Sequence, residues 1–467
     1  MLLYLSFLLS FSLVLAKHEM YDGVGGYAEK PKSPTSYTDK LKSRKAEKSH
    51  QYLTVNHTIF YYRHSLFEVK IQDVNQIELV KSLEVPFQLD IWTYSQMDKN
   101  AVILVPKKNL DRFQDVLTRN GIQYRVDIDN IKRLLDEEDR LMDEAKRRNQ
   151  RFGTARIGFD RVYNLTEVYT YLEEVASSYP DLVTLVNAGK SFEGRDVKYL
   201  KISTTNFEDT SKPIVFVESL LHAREWVTLP PTLYAIDKLV TGNLTESSVL
   251  DKVDWIILPI ANPDGYEFSH VQNRFWRKNR ATGYMANDVC VGVDLNRNFD
   301  ITWGDFSSNN VCSETFHGGH PFSEPEARIV GDILRSNNNR IKMFMDIHST
   351  GSMILYGWGD GVLVSNALSV HAAGIQMATA IDAVKTHWNP YYTVGNSALV
   401  LYRASGLAMD YGSVSNIPYS YVYELPRHRN ALGVDRFLVD PALVQQFAME
   451  TWEGIQAGAK FIRDKYT

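Results

Sequence analysis

The chain has 467 residues, of which 44% are hydrophobic and 23% charged, and its formal net charge is −5 at pH 7. That length exceeds what one small core can hold, so two or more folded units are expected. The mild acidity, with no long Lys/Arg block outside mixed-sign stretches, leaves no electrostatic basis for nucleic acid or an anionic membrane as a partner.

Residues 1–16, Met1 to Ala16, form an apolar run too short to span a bilayer. It ends in small residues at Val14-x-Ala16, which predicts a secretion signal cleaved before Lys17 and an extracellular protein. Three N-x-S/T triplets, at Asn56, Asn164 and Asn243, agree with that route. Residues 17–50 are rich in Gly, Lys, Ser and Pro without an apolar period, and are expected to be a flexible extension.

Residues 51–130 carry a regular pattern. A β-rich run at Leu66–Ile71 precedes Val74, Ile77, Val80 and Leu83 at helical spacing, and strands are expected at Phe87–Trp92 and Ala101–Val105. Leu110, Phe113, Val116 and Leu117 then share one helix face, and Ile122–Ile128 supplies a last strand. The order βαββαβ is that of a small ferredoxin-like α+β unit.

Residues 131–155 are densely charged, with Leu134, Leu135, Leu141 and Met142 interspersed, which predicts a connecting helix that is solvated more than buried. The segment ends in Lys146, Arg147, Arg148 and Arg151, where a trypsin-like protease could cut; the plainer reading is a basic helix terminus. From 156 to 467, strand-like runs at Leu182–Val186, Val197–Ile202, Ile214–Val217, Val253–Ile260, Ile341–Ile347 and Ile417–Tyr423 alternate with helical stretches. That alternation predicts an α/β domain with a large mixed, mostly parallel sheet flanked by helices, and with ligands outside the carboxyl ends of the strands.

The run Ile214–Leu221 delivers His222-Ala223-Arg224-Glu225, and Ile341–Ile347 delivers His348. An H-x-x-E match alone is common by chance. With His348 at the same sheet edge, two nitrogens and one carboxylate form three ligands that leave a fourth position open, a catalytic zinc arrangement. A third run, Ile417–Tyr423, ends in Glu424, either a general base for a metal-activated water or an exposed residue at a strand end. Two further stretches, Asn273–Lys278 and Asp294–Asn298, bring guanidinium groups that can stabilise an oxyanion or grip a carboxylate, unless they form a solvated face. The two cysteines, Cys290 and Cys312, are most simply one disulfide, worth about 3 kcal/mol in the chain-entropy model, with two buried thiols as the alternative.

The motifs His222-Ala223-Arg224-Glu225-Trp226, Asn262-Pro263-Asp264-Gly265-Tyr266, Arg274-Phe275-Trp276-Arg277-Lys278, Asp294-Leu295-Asn296-Arg297-Asn298, Ser313-Glu314-Thr315, Pro321-Phe322-Ser323-Glu324-Pro325-Glu326, Ile347-His348-Ser349 and Tyr423-Glu424-Leu425 resemble, in order and spacing, the metallocarboxypeptidases of the pancreatic A/B group. Carboxypeptidase A is itself the standing example of the His, Glu, His zinc set. The resemblance covers nearly all of Phe159–Thr467, and the preceding unit and its charged connector resemble that group's activation domain.

It implies a secreted zymogen with one Zn2+ held by His222, Glu225 and His348, Glu424 as general acid/base and Arg277 at the scissile carbonyl. It also implies Asn296, Arg297 and Tyr402 as the clamp on a substrate's terminal carboxylate, Arg224 in the neighbouring subsite, and a Cys290–Cys312 disulfide. Peptide or protein C-termini are the implied substrates, a trypsin-like protease the activator, and a monomer the expected state. Met409 matches the position that carries an acid in enzymes for C-terminal Lys or Arg, and Leu355, Gly359, Ser397, Ala404, Leu407 and Val422 match the rest of that pocket. None is charged, so an apolar C-terminal residue is expected. Asp410, next to Met409, is expected to point away.

Thr350 and Phe299 depart from the usual aromatic residues, Pro426–Asp440 is longer than the matching loop, and the extension at 17–49 is longer than usual. The alternative function is a secreted peptide-binding protein of the same fold without turnover, which would be expected to lack a ligand or the base. Neither is missing.

Overall fold

The computed structural model describes residues 61, 63–93, 100–151, 157–242, 248–285, 288–426 and 436–467. The predicted signal, the extension, Asn56 and Asn243 lie outside them.

The small domain runs β1 (Ser65–Lys70), α1 (Val74–Phe87), β2 (Asp90–Thr93), β3 (Asn100–Val105), α2 (Leu110–Arg119) and β4 (Gln123–Ile128). Its antiparallel sheet has the order β2-β3-β1-β4. Asp73 caps α1 by accepting the Gln76 amide at 2.9 Å, and Gln88, at φ 52°, ends it in the left-handed region. Phe87 is therefore the last helical residue and not the first of a strand, and the second strand starts three residues later than its β-rich sequence predicts.

Alternation along β1 sorts the two faces of this sheet. Phe67 and Val69 join Val80, Leu83, Phe113 and Leu117 beneath the two helices. Leu66 joins Trp92, Val102, Leu104 and Ile128 on the other face, which is closed by Phe275, Phe437 and Leu438 of the large domain. The helix α3 (Lys132–Arg151) continues that apolar face with Leu134 and Leu135, both buried. The connector is thus less solvated than its charge density predicts, because one stripe of it packs against both domains.

The large domain holds β5 (Val183–Lys190), β6 (Asp196–Ile202), β7 (Ile214–Ser219), β8 (Asp254–Leu258), β9 (Ile341–Ser349), β10 (Met353–Tyr356), β11 (Thr393–Asn396) and β12 (Tyr419–Leu425), in the order β11-β10-β12-β9-β7-β8-β6-β5. The central pairs β12–β9, β9–β7 and β7–β8 are parallel, as is β10–β11, while β5–β6, β6–β8 and β10–β12 are antiparallel. The short strands β10 and β11 have no clear period in the sequence and extend the predicted sheet. Helices α4 (Leu165–Ser178), α5 (Leu229–Thr241), α6 (Pro263–Val271), α7 (Pro325–Ser336), α8 (Ala367–Val384), α9 (Ala408–Val414) and α10 (Pro441–Tyr466) flank it. Asn164 is the N-cap of α4 in a capping box with Glu167.

Candidate active site

Three parallel central strands end at one rim, and each brings one part of the site. After β7 the chain turns through Leu220, at φ 55°, and His222 and Glu225 follow before the short 3-10 turn Trp226–Thr228 that leads into α5. Asn262 fixes this turn by donating its amide to the Leu221 and Lys278 carbonyls, at 3.2 and 3.1 Å. His348 lies near the end of β9, and Glu424 sits directly beside it in the parallel register of β12.

His222, Glu225 and His348 are all buried, and their ligand atoms lie within 4.8 Å of one another. His222 Nδ1 is 3.0 Å from Glu225 Oε1, and His348 Nδ1 is 2.9 Å from Glu225 Oε2. Each imidazole has its other nitrogen on a second carboxylate: His222 Nε2 on Asp294 Oδ1 at 2.9 Å, His348 Nε2 on Asp346 Oδ2 at 2.8 Å.

These contacts fit a metal. An Nε2–H donated to Asp294 or Asp346 leaves the Nδ1 lone pair turned toward the Glu225 carboxylate, an arrangement of facing acceptors that a cation between them resolves. Two neutral imidazoles and one carboxylate are a zinc donor set. Burial would raise the Glu225 carboxyl, but His222 and His348 hold it well below the usual range. Burial would lower His348, but Asp346 and Glu225 hold it well above.

Arg277 donates to Asp294 Oδ2 from Nε and Nη2, at 3.1 and 2.8 Å, so that one carboxylate orients both His222 and Arg277. Burial pushes Glu424 up to about 8, with the Glu225 charge adding to it; a cation between the ligands would draw it down.

A cavity of about 100 Å³ connects these groups to Arg224, Asn296, Arg297, Tyr402 and Met409. Arg297 donates to the Asn296 carbonyl at 2.6 Å and to the Tyr402 hydroxyl at 3.4 Å. Asn296 accepts the Ala408 amide at 2.8 Å, and its Nδ2 lies 3.1 Å from His348 Nε2. Leu355, Ser397, Ala404, Leu407 and Val422 line the cavity beside Met409; Gly359 does not. Asp410 is turned away, accepting the Gly359 amide at 2.9 Å, and burial pushes its carboxyl up to about 7. Cys290 and Cys312 are joined, with their Cα atoms 5.0 Å apart.

The small domain closes this cavity. Ile91, Trp92 and Thr93 line it, Asp90 accepts from Arg224 at 2.7 Å, and the Trp92 ring packs 4.7 Å from Phe275 and 5.3 Å from Phe437. Sequence reasoning missed Asp294 and Asp346 behind the histidines, and Asp90 and Glu138 on the covering side. Asp346 carries a readable signal, an acid inside the otherwise apolar run Met343–Ile347.

A family model described as "Zinc carboxypeptidase" matches residues 168–454, and one described as "Carboxypeptidase activation peptide" matches residues 67–138. The chain is 41% identical over 397 residues to "Carboxypeptidase B" of Helicoverpa zea, covering 84% of this chain and 92% of that one. It is 30% identical over 400 residues to "Carboxypeptidase A1" of Bos taurus, covering 84% and 92%. The crystal structure of the carboxypeptidase A from Helicoverpa armigera superposes with a TM-score of 0.83 at 50% identity, covering 86% of this chain and 98% of that one.

Proposed function

The chain belongs to the zinc carboxypeptidase family and carries that family's activation peptide, and from that premise we propose that it is a secreted zymogen whose mature form removes apolar residues from peptide C-termini. The observation that carries the proposal is the single cavity in which the His222–Glu225–His348 cluster, Glu424, Arg277, Arg297 and the uncharged pocket around Met409 meet. The activation unit takes residues 51–130, the connector 131–155 and the catalytic domain 156–467. The apolar leader at 1–16 supports secretion.

Zinc held by His222, Glu225 and His348 would supply Lewis acidity toward a carbonyl and acidify a water. Glu424 takes the proton of the attacking water and returns it to the leaving amine, so that peptide and water become a free amino acid and a shortened peptide. Arg277, oriented by Asp294, meets the oxygen on which negative charge develops. Arg297, with Tyr402 and Asn296, holds the terminal carboxylate; a chain that continued past the cleft would leave that guanidinium unpaired, which confines cleavage to the last bond.

Met409 is fully buried among Met353, Leu355, Ala404, Leu407 and Val422, so a substrate ammonium or guanidinium would find no partner there. Activation is a trypsin-like cut after the exposed Lys146, Arg147 and Arg148 at the end of α3 or just beyond. Chelation of the cleaved protein is expected to abolish hydrolysis, with zinc restoring it; hydrolysis that survives complete removal of zinc would contradict the proposal.

A further inference from the structure

β7 and β9 are parallel neighbours, and Glu218 stands directly opposite Asp346 in their register. Both are fully buried. They share the sheet face that carries Phe216 and Phe344, whose rings stack at 5.0 Å one step earlier along the same two strands. His348 follows two residues after Asp346, on that same face. Asp346 is already engaged with it, through Oδ2 at 2.8 Å from Nε2. Asn296 Nδ2 is 3.5 Å from that oxygen.

Neither oxygen of Glu218 has a hydrogen-bond partner, and neither does Asp346 Oδ1. Three unpartnered buried carboxyl oxygens on adjacent strands, about 5 Å apart backbone to backbone, would be among the costliest features of the core if both groups were charged. One proton between them removes a charge and creates a hydrogen bond where none is otherwise available.

We propose that Glu218 and Asp346 form a hydrogen-bonded carboxyl pair that positions His348, with Glu218 as donor and Asp346 as the bridge that keeps the imidazole's Nδ1 turned toward Glu225. The inference rests on the reading of His348 as a zinc ligand. Glu218 is a positioning residue, since it touches neither substrate nor metal and acts through Asp346. Glu218 follows the apolar run Ile214–Val217 of β7 at the point where the carboxylate behind the second histidine needs a donor of its own.

The test uses the full chain and zinc alone. Zinc dissociation constants are measured by competition with a chromophoric chelator for the wild type, Glu218→Gln, Glu218→Leu and Asp346→Asn, with zinc stoichiometry determined for each. Glu218→Gln keeps a donor and is expected to stay within about threefold of the wild type. Glu218→Leu and Asp346→Asn are expected to weaken zinc by about 10- to 100-fold, the usual effect of losing support behind a ligand. If Glu218→Leu does not fold, Glu218→Met, an apolar replacement closer in length to glutamate, takes its place with the same expected loss.

Wild-type affinity in Glu218→Leu would overturn the pair while leaving the zinc site intact, whatever Asp346→Asn does. Loss in Glu218→Gln as large as in Glu218→Leu would show that charge, not a donated hydrogen bond, is what Glu218 supplies, and would also overturn it. Two zinc ions per wild-type chain would make the carboxyls a second metal site instead. A wild type that binds no zinc would remove the reading on which the inference rests.

Discussion

Glu138, in the first half of α3, receives both Nε and Nη2 of Arg274, at 2.7 and 3.0 Å, with the two side chains no more than 3% exposed. The same carboxylate accepts the Val439 amide at 2.6 Å, and Arg274 also donates to the carbonyls of Arg224 and Phe437. One buried ion pair therefore fastens the connector to the strand of chain that holds Phe437 against Trp92.

Removing one partner of such a pair leaves a buried charge unmatched, at a cost of about 3–5 kcal/mol. Glu138→Ala is expected to loosen the cover without touching the catalytic groups, so that the uncut protein hydrolyses substrate roughly 100-fold faster than the uncut wild type. The assay is hydrolysis by zymogen whose intact length is verified after the measurement. No increase would mean that the apolar contacts of Trp92 hold the cover alone.

The same interface is expected to respond to pH. Glu84 of the small domain accepts Ser313 Oγ and the Glu314 amide, each at 2.9 Å. Asp90, Arg224 and Lys278 are the charged groups close by. Burial raises Glu84 against the lowering effect of those two hydrogen bonds, and burial together with Asp90 pushes Glu314 up to about 6. Both carboxyls are raised in the closed form, so the closed form binds more protons than the separated domains. The added stability is present at low pH and is lost as pH rises from the ordinary glutamate range, about 4.3, to about 6. The affinity of the cleaved small domain for the catalytic domain should therefore fall over that interval and level off above it, and Glu84→Gln should flatten the profile. An affinity that rises with pH there would reverse the sign.

Met409→Asp places an acid in the apolar pocket. A buried charge without a partner costs about 3–5 kcal/mol and is matched when a guanidinium enters, so the ratio of kcat/KM for Arg-ended over Phe-ended substrates should rise by about 10²- to 10⁴-fold. An unchanged ratio would show that the C-terminal side chain does not reach Met409.

Glu424→Gln removes the proton acceptor and keeps the shape. kcat is expected to fall by about 10²- to 10⁴-fold with zinc content unchanged; a fall accompanied by zinc loss would place Glu424 among the ligands instead.

Which parts of this were legible in the sequence follows from where the information lies. The βαββαβ order and the six long strands were readable because apolar period and turn residues are local. The convergence of His222, His348 and Glu424 at one rim was readable because each ends a β-run of a parallel sheet. Phe87 reads as strand because its β-propensity is local, whereas the left-handed stop at Gln88 that ends the helix shows only in the structure. Strands β10 and β11, four residues each, are too short to show a period. The covering contacts were not legible: Asp90–Arg224 and Glu138–Arg274 join residues 134 and 136 positions apart, and nothing local in either segment marks the partner. Glu138 differs from its neighbours only in the face of α3 it occupies.

The measurement that tests the central claim most directly is hydrolysis of two blocked dipeptides, one ending in Phe and one in Arg, before and after limited trypsin treatment and with and without a zinc chelator. Release of Phe that appears only after trypsin, exceeds release of Arg and disappears with the chelator is the predicted result. Preferential release of Arg would contradict the apolar pocket, and hydrolysis of neither substrate by cleaved, zinc-loaded protein would contradict the assignment as an active carboxypeptidase.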